Sequence, residues 1–438
     1  MVLGRGKAKS RKTPTLHFGP EPAYVVLKSE KASVSLRELV ETRCRSLASK
    51  FRPVWWLFNG HLQTIYAILG DFTKIDQVWY QRRLLRLLDG GTLGLDFAPV
   101  EASSVPDDAP IIVVQHGLTG GSHEPYVRAI LAPACAPVEQ GGLGYRAVVV
   151  NFRGCSGVPI TSPKFYTAAQ TDDLRQALTF ISKLYPNAPL LGLGFSIGGN
   201  VMLRYLAEEG VNSRLCSACV LGCPWDLVTN NEHLLNTTLG RHLYLRGMGD
   251  NVMTLMRHHS QAFLANPDHP AAKVVPTVLR LKKPTLTDFD DLFTCNVGDT
   301  PPFPFPSVRD YYTWASSHEV AEQIRVPCLT INSADDPVVH RVQMPSGRNG
   351  YIVTVLTATG GHLGWYRSRR KRWTTKPVLE WMELVGRDIL REPIEISSYT
   401  DESGYLREPQ WPKLGCKEVP GGGLIDGNRP ESALFQGL

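Results

Sequence analysis

Between residues 111 and 221 short apolar runs alternate with segments of helical period. Ile111-Ile112-Val113-Val114 and Ala147-Val148-Val149-Val150 have no polar face, as expected of strands covered on both sides. Leu190 to Leu193 and Ala218 to Leu221 predict two more strands. Thr171 to Leu184 places Leu174, Ala177, Leu178, Ile181 and Leu184 three and four positions apart, which predicts an amphipathic helix. Thr171, Asp172 and Asp173 stand at its start, where capping and anionic groups help. Ile197 to Glu209 predicts a second helix. Upstream, Val78 to Leu88 and Thr92 to Phe97 predict strands joined by a hairpin turn at Asp89-Gly90-Gly91. Downstream, Cys328 to Asn332 and Ile352 to Leu356 predict strands, and Val378 to Ile389 a helix. Such alternation predicts an α/β fold: a mostly parallel central sheet flanked by helices.

The pattern changes after Pro224. Residues 225–325 are polar and helical in character, with a Pro/Phe stretch at Thr300 to Pro306 and no convincing central strand. They predict a largely helical lid insertion over the C-terminal edge of the sheet, between core segments 51–224 and 326–391. Residues 1–50 form a basic arm and leader. Its first 20 or so residues are expected to be disordered, and the pattern from Val25 to Ala67 supports no assignment. Residues 392–438, rich in Gly, Pro and charge, are expected to form a tail without its own core.

The formal net charge of the 438-residue chain is +6. Arg5, Lys7, Lys9, Arg11 and Lys12 form one basic tract, and Arg367, Arg369, Arg370, Lys371 and Arg372 another. The bland reading, a solvated arm and a solvated helix edge, is preferred, with no nucleic-acid partner. The nine scattered cysteines do not form a disulfide framework and suggest a reducing, cytoplasmic setting. No signal peptide and no apolar run of about 18 residues is seen, so contact with membranes or lipid droplets is expected to be peripheral. Cys216, Cys219 and Cys223 have half of a zinc spacing, without a second pair. No metal or other cofactor is expected.

The chemistry lies in Gly194-Phe195-Ser196-Ile197-Gly198-Gly199, between a predicted strand and a predicted helix. G-x-S-x-G in that context is a nucleophile elbow, with glycines where a tight turn leaves no room for side chains. Serine needs a base, and the base needs an orienting acid. Asp336 follows the Cys328–Asn332 strand in Ser333-Ala334-Asp335-Asp336-Pro337-Val338-Val339 and is favoured over Asp335 as the acid. His362, in Gly360-Gly361-His362-Leu363-Gly364, follows the last strand and is favoured as the base over His318 and His340. The N–H groups of Leu118 and Ile197 are the expected oxyanion donors. Leu118 lies in Gln115-His116-Gly117-Leu118-Thr119-Gly120-Gly121-Ser122, where His116 is read as a loop brace. Phe263, Phe289, Phe293 and Phe303 either line an acyl-chain pocket or pack the lid.

These segments resemble the YheT-like group of α/β-hydrolases, the AB hydrolase 4 family. The resemblance also includes Asn59-Gly60-His61-Leu62-Gln63-Thr64 and Asn151-Phe152-Arg153-Gly154-Cys155-Ser156-Gly157, and runs from about residue 50 to 390. It implies the α/β-hydrolase fold, with Ser196 as nucleophile, Asp336 as acid and His362 as base. It further implies an esterase or lipase acting on acyl esters, as in medium-chain ester synthase/esterases, monoacylglycerol lipases and phospholipases. Expected partners are a small-molecule acyl ester, or acyl-CoA plus an alcohol. Two alternatives stay open: an acyl-CoA:alcohol acyltransferase using the same site, and a catalytically silent ligand-binding fold.

Overall fold

Among the described residues the apolar runs become the middle of one twelve-stranded sheet. The computed structural model describes residues 13–298, 301–340, 342, 349–391 and 396–429. In chain order the strands are β1 (Thr15–Phe18), β2 (Tyr24–Val26), β3 (Ser33–Ser35), β4 (Trp79–Leu87), β5 (Thr92–Ala98), β6 (Ile111–Gln115) and β7 (Arg146–Asn151). There follow β8 (Leu190–Phe195), β9 (Leu215–Leu221), β10 (Cys328–Ser333), β11 (Ile352–Thr357), β12 (Tyr399–Thr400), β13 (Leu406–Arg407) and β14 (Cys416–Asp426). The sheet order is β1-β11-β10-β9-β8-β6-β7-β5-β4-β14-β13-β12, and β2 pairs with β3 separately. The central strands β11-β10-β9-β8-β6-β7 are parallel. Antiparallel strands close both ends.

Period-two alternation assigns each central strand's side chains to two cores. Ile111, Val113, Val148 and Val150 share one cluster with Leu174, Leu178 and Ile181 of the helix Asp172–Leu184. Ile112, Val114, Ala147 and Val149 share the other with Val127, Ile130 and Leu131 of the helix Pro125–Cys135. The parallel strands therefore read as continuous apolar runs because both faces are covered. From 225 to 325 the described residues hold helices and turns and no strand, including Leu227–Asn236, Leu245–Leu264 and Val308–Ala315. Among the described residues no helix is long and apolar enough to cross a membrane.

Several expectations need correcting. Thr15–Phe18 is not disordered: it pairs antiparallel with β11, Thr15 opposite Leu356. The basic tract at residues 5–12 lies outside the described residues. The segment 396–429, expected as a tail without its own core, joins the main sheet, with β14 paired along β4 from Cys416 opposite Leu87 to Asp426 opposite Trp79. Its register shifts between Val419 and Gly423, so the loop-like Pro-Gly-Gly-Gly is a bulge within a strand. The tail also packs through Glu408, which accepts from Thr179 Oγ1 at 2.6 Å. Arg367 to Arg372 are not a helix edge but a hairpin, with Tyr366 bridged to Arg372.

One buried charge network ties the sheet to a loop at its C-terminal edge. Arg82 on β4 meets Asp96 on β5 through Nε–Oδ1 at 2.6 Å and Nη2–Oδ2 at 2.7 Å. Asp96 Oδ2 also accepts from Ser122 Oγ at 2.6 Å and Asn151 Nδ2 at 2.9 Å. Asp96→Ala would strand the Arg82 charge in the core and should cost roughly 3–5 kcal/mol in urea unfolding. The double change Arg82→Met/Asp96→Leu should recover much of that loss, which equal destabilisation in both variants would contradict.

Candidate active site

Ser196 follows β8 directly and precedes the helix Ile197–Glu209. Its backbone has φ 50° and ψ −122°, a strained conformation for a residue with a Cβ. The neighbouring glycines are steric necessities. A Cβ on Gly194 would lie 2.6 Å from Gly199 Cα, and one on Gly198 would lie 2.3 Å from the His116 carbonyl oxygen. The Ser196 N–H is held by the Leu221 carbonyl of β9 at 2.9 Å.

The loops after β10 and β11 bring two further groups to Ser196. His362 Nε2 lies 2.9 Å from Ser196 Oγ, and His362 Nδ1 lies 2.9 Å from Asp336 Oδ2. The other carboxylate oxygen, Asp336 Oδ1, accepts from the N–H groups of Val338 at 2.8 Å and Val339 at 2.9 Å. Both partners are buried. Asp336, rather than Asp335, is the carboxylate that meets the imidazole. Asp335 Oδ1 instead accepts from Ser333 Oγ at 2.7 Å and the Gly361 N–H at 3.0 Å, tying the acid loop to the histidine loop. Burial pushes the Asp335 carboxyl above its ordinary pKa, and these two hydrogen bonds oppose the shift. His318 and His340 lie elsewhere: His318 Nδ1 is 2.9 Å from the Trp225 carbonyl, and His340 stacks on His233.

The Asn59–Thr64 segment, for which sequence spacing suggested no role, holds the histidine loop. It begins the helix Gly60–Leu69, whose N-cap Asn59 accepts from the Leu62 N–H at 2.9 Å. Thr64 Oγ1 accepts the His362 N–H at 2.8 Å and donates to the Gly60 carbonyl at 2.8 Å. Gln63 Oε1 accepts from the Tyr366 N–H at 2.7 Å. Gly60 packs so closely on Asp335 that an added Cβ would lie 1.8 Å from its carbonyl oxygen. His61 turns outward and meets the Tyr244 hydroxyl at 2.7 Å, joining this helix to the 225–325 segment.

The loop after β6 carries the expected oxyanion donor Leu118. The Gly117 N–H donates to the Tyr126 hydroxyl and the Thr119 N–H to the Tyr166 hydroxyl, each at 3.0 Å, with Leu118 between these anchored amides. Leu118, Ile197, Ser196 and His362 all face one cavity. His116 is a brace: its Nδ1 lies 2.7 Å from the Gly117 carbonyl, and its Nε2 accepts the Phe152 N–H at 3.1 Å. Burial pushes its pKa down to about 4, so the ring is neutral and donates from Nδ1.

The cavity has a volume of about 110 Å³ and mostly apolar walls, including Leu234, Leu245, Met248, Val252 and Phe289. Of the four candidate phenylalanines only Phe289 lines it. Phe263 and Phe293 pack behind it in the core with Phe165, and Phe303 joins a separate cluster around Tyr311 and Tyr312. One wall holds a carboxyl that the sequence did not flag. Asp290 accepts from Thr294 Oγ1 at 2.6 Å and the Tyr312 hydroxyl at 2.7 Å. Burial pushes it up to about 6, against those two hydrogen bonds. Cys216, Cys219 and Cys223 belong to β9 and its end, and among the described residues no group of three or more His, Cys, Asp or Glu could hold a metal.

Two outcomes follow from this geometry. Thr64→Val leaves the buried His362 N–H unpaired, a loss of about 1–3 kcal/mol. With the histidine loop loosened, the reaction of Ser196 with a fluorophosphonate should slow on the order of tenfold, while Thr64→Ser stays near wild type. An equal rate in Thr64→Val would contradict the bracing role. Asp290 has a folded pKa above its unfolded value, so it binds its proton more tightly when folded. Its contribution to stability is therefore largest at low pH and declines as pH rises from about 4 to about 6. Relative to Asp290→Asn, wild type should lose on the order of 3 kcal/mol across that window in denaturant titrations. Parallel pH profiles would contradict it.

The family model described as the alpha/beta hydrolase fold matches residues 110–248. A Saccharomyces cerevisiae protein named monoacylglycerol lipase is 30% identical over 403 residues, covering 82% of this chain and 87% of that one. Medium-chain fatty acid ethyl ester synthase/esterase 2 of the same yeast is 29% identical over 418 residues, covering 81% and 90%. Phospholipase ABHD3 of Homo sapiens is 28% identical over 367 residues, covering 82% and 83%. With the fold and such relatives, the chain belongs to the α/β-hydrolase family, alongside proteins named as lipases and esterases.

Proposed function

We propose that this chain is a serine carboxylic ester hydrolase working through an acyl-enzyme on Ser196. One observation carries the reading: a single imidazole, His362, lies 2.9 Å from both Ser196 Oγ and Asp336 Oδ2. With Nδ1–H donated to Asp336, Nε2 presents its lone pair to the serine hydroxyl. His362 takes that proton as Ser196 Oγ attacks the ester carbonyl, then gives it to the leaving alcohol. Asp336 fixes the tautomer and stabilises the imidazolium. The Leu118 and Ile197 N–H groups hold the oxyanion, at about 3 kcal/mol per donor. Water, activated by His362, releases the acid and restores Ser196.

Substrates in this reading are medium-chain acyl esters or monoacylglycerols. The apolar cavity walls support an acyl chain, and the names of the yeast relatives agree with that class. The 225–325 segment, whose Leu234, Leu245, Met248 and Phe289 line the cavity, acts as a lid. The synthase/esterase name of one relative favours a second outcome at the same intermediate: an alcohol in place of water would give a new ester.

Hydrolysis of p-nitrophenyl esters from acetyl to palmitoyl, and of monoacylglycerols, tests the proposal. Turnover should rise from acetyl to medium chains, and Ser196→Ala should lose at least about 10⁴-fold. A maximum at acetyl would exclude the medium-chain assignment, and retained activity in Ser196→Ala would exclude the nucleophile. Ethanol added to the same reaction should yield ethyl ester if alcohol competes with water.

A further inference from the structure

We infer that the face around Trp55 docks on the surface of an anionic lipid bilayer. Trp55 is 85% exposed, Phe58 65% and Leu69 70%. Aromatic and large aliphatic side chains gain free energy at a bilayer interface that they forgo in water. The segment that carries them is fixed in place. Leu57 points inward to a buried cluster with Ala67, Phe72 and Tyr366. Trp56 packs edge-on against Tyr66, with ring centroids 4.9 Å apart. Trp55 and Phe58 are therefore held outward.

A basic hairpin adjoins this segment. The Val54 N–H donates to the Tyr366 carbonyl at 3.1 Å, and the Tyr66 hydroxyl to the Arg369 carbonyl at 2.9 Å. The hairpin closes through the Arg367 N–H and the Lys371 carbonyl at 3.0 Å. Ser368 Oγ accepts from the N–H groups of Arg370 at 3.4 Å and Lys371 at 3.2 Å. Its base is pinned by the buried Arg372 guanidinium, 4.5 Å from the Tyr366 ring centroid and 5.4 Å from that of Phe72. The tip presents Arg367, Arg369, Arg370 and Lys371, all exposed and in no ion pair among the described residues. Exposed Arg52 and Lys74 belong to the same part of the chain, with Asp71 as an exposed acid.

Charge complementarity selects the occupant. Several cations beside protruding Trp, Phe and Leu match phosphate and carboxylate head groups over an acyl layer. Nucleic acid would use the cations but would gain nothing from Leu69. The hairpin follows directly on the His362 loop, with the Trp373 N–H bonded to the Trp365 carbonyl at 2.8 Å. The helix bearing Leu69 also touches the lid through His61 and Tyr244. Docking here would set the lipid surface beside elements that build the cavity.

Sedimentation of the full chain with vesicles of phosphatidylcholine and phosphatidylserine tests the inference without requiring turnover. Wild type should bind these vesicles, bind pure phosphatidylcholine far less, and release in high salt. Trp55→Ala/Phe58→Ala and Arg369→Gln/Arg370→Gln/Lys371→Gln should each weaken binding on the order of tenfold or more. Both variants should keep wild-type thermal midpoints and wild-type hydrolysis of a soluble p-nitrophenyl ester. No binding by wild type, equal binding to neutral vesicles, or undiminished binding by either variant would overturn the inference. So would a wild-type dimer that Trp55→Ala/Phe58→Ala dissociates, which assigns the face to a second copy.

Discussion

The site depends on one imidazole that must satisfy two partners at once. His362 has a serine hydroxyl on one side and a carboxylate on the other, each at hydrogen-bond distance. Ser196, Asp336 and His362 come from segments as much as 166 residues apart in the chain. Here parallel neighbours gather them, because adjacent parallel strands end on the same edge. β8, β9, β10 and β11 are consecutive in the sheet, so the turns that leave them share that edge. The strained serine backbone is tolerated there, since strain of about 1–3 kcal/mol is small beside the burial of the surrounding sheet.

A sheet edge brings loops near one another without fixing them to a few tenths of an ångström. That precision comes from a shell of ordinary polar contacts. Thr64 holds the His362 backbone, Asp335 ties the acid loop to Gly361, and Tyr126 and Tyr166 pin the amides on either side of Leu118. The Arg82–Asp96 pair extends the support to Ser122 at the end of the same loop. Each contact lies outside the reacting atoms, yet each limits where those atoms can be. The wall facing them is of another kind: apolar side chains of the 225–325 helices, interrupted by the buried Asp290.

The central strands were legible because burial on both faces leaves uninterrupted apolar runs, as at Ile111–Val114 and Ala147–Val150. The elbow was legible because its sterics force glycine at 194 and 198. Thr64 was not: its role is a side-chain contact across 298 residues, and no local period encodes it. β14 was missed because its Pro-Gly-Gly-Gly bulge has the composition of a loop. β1 was missed because its four residues follow a long basic stretch that dominates the local composition. The basic tract at 367–372 was visible as charge, but its hairpin shape depends on Arg372 entering an aromatic cluster that includes Phe72, far away in sequence. For the phenylalanines, residue type alone does not distinguish a cavity wall at Phe289 from core packing at Phe293.

In the proposed mechanism His362 makes Ser196 a nucleophile. Reaction of the whole chain with a fluorophosphonate, read by peptide mass spectrometry over time, tests it most directly. One adduct is expected, on the peptide containing Ser196, absent in Ser196→Ala and formed orders of magnitude more slowly in His362→Ala. An adduct on another residue, or an unchanged rate in His362→Ala, would contradict it.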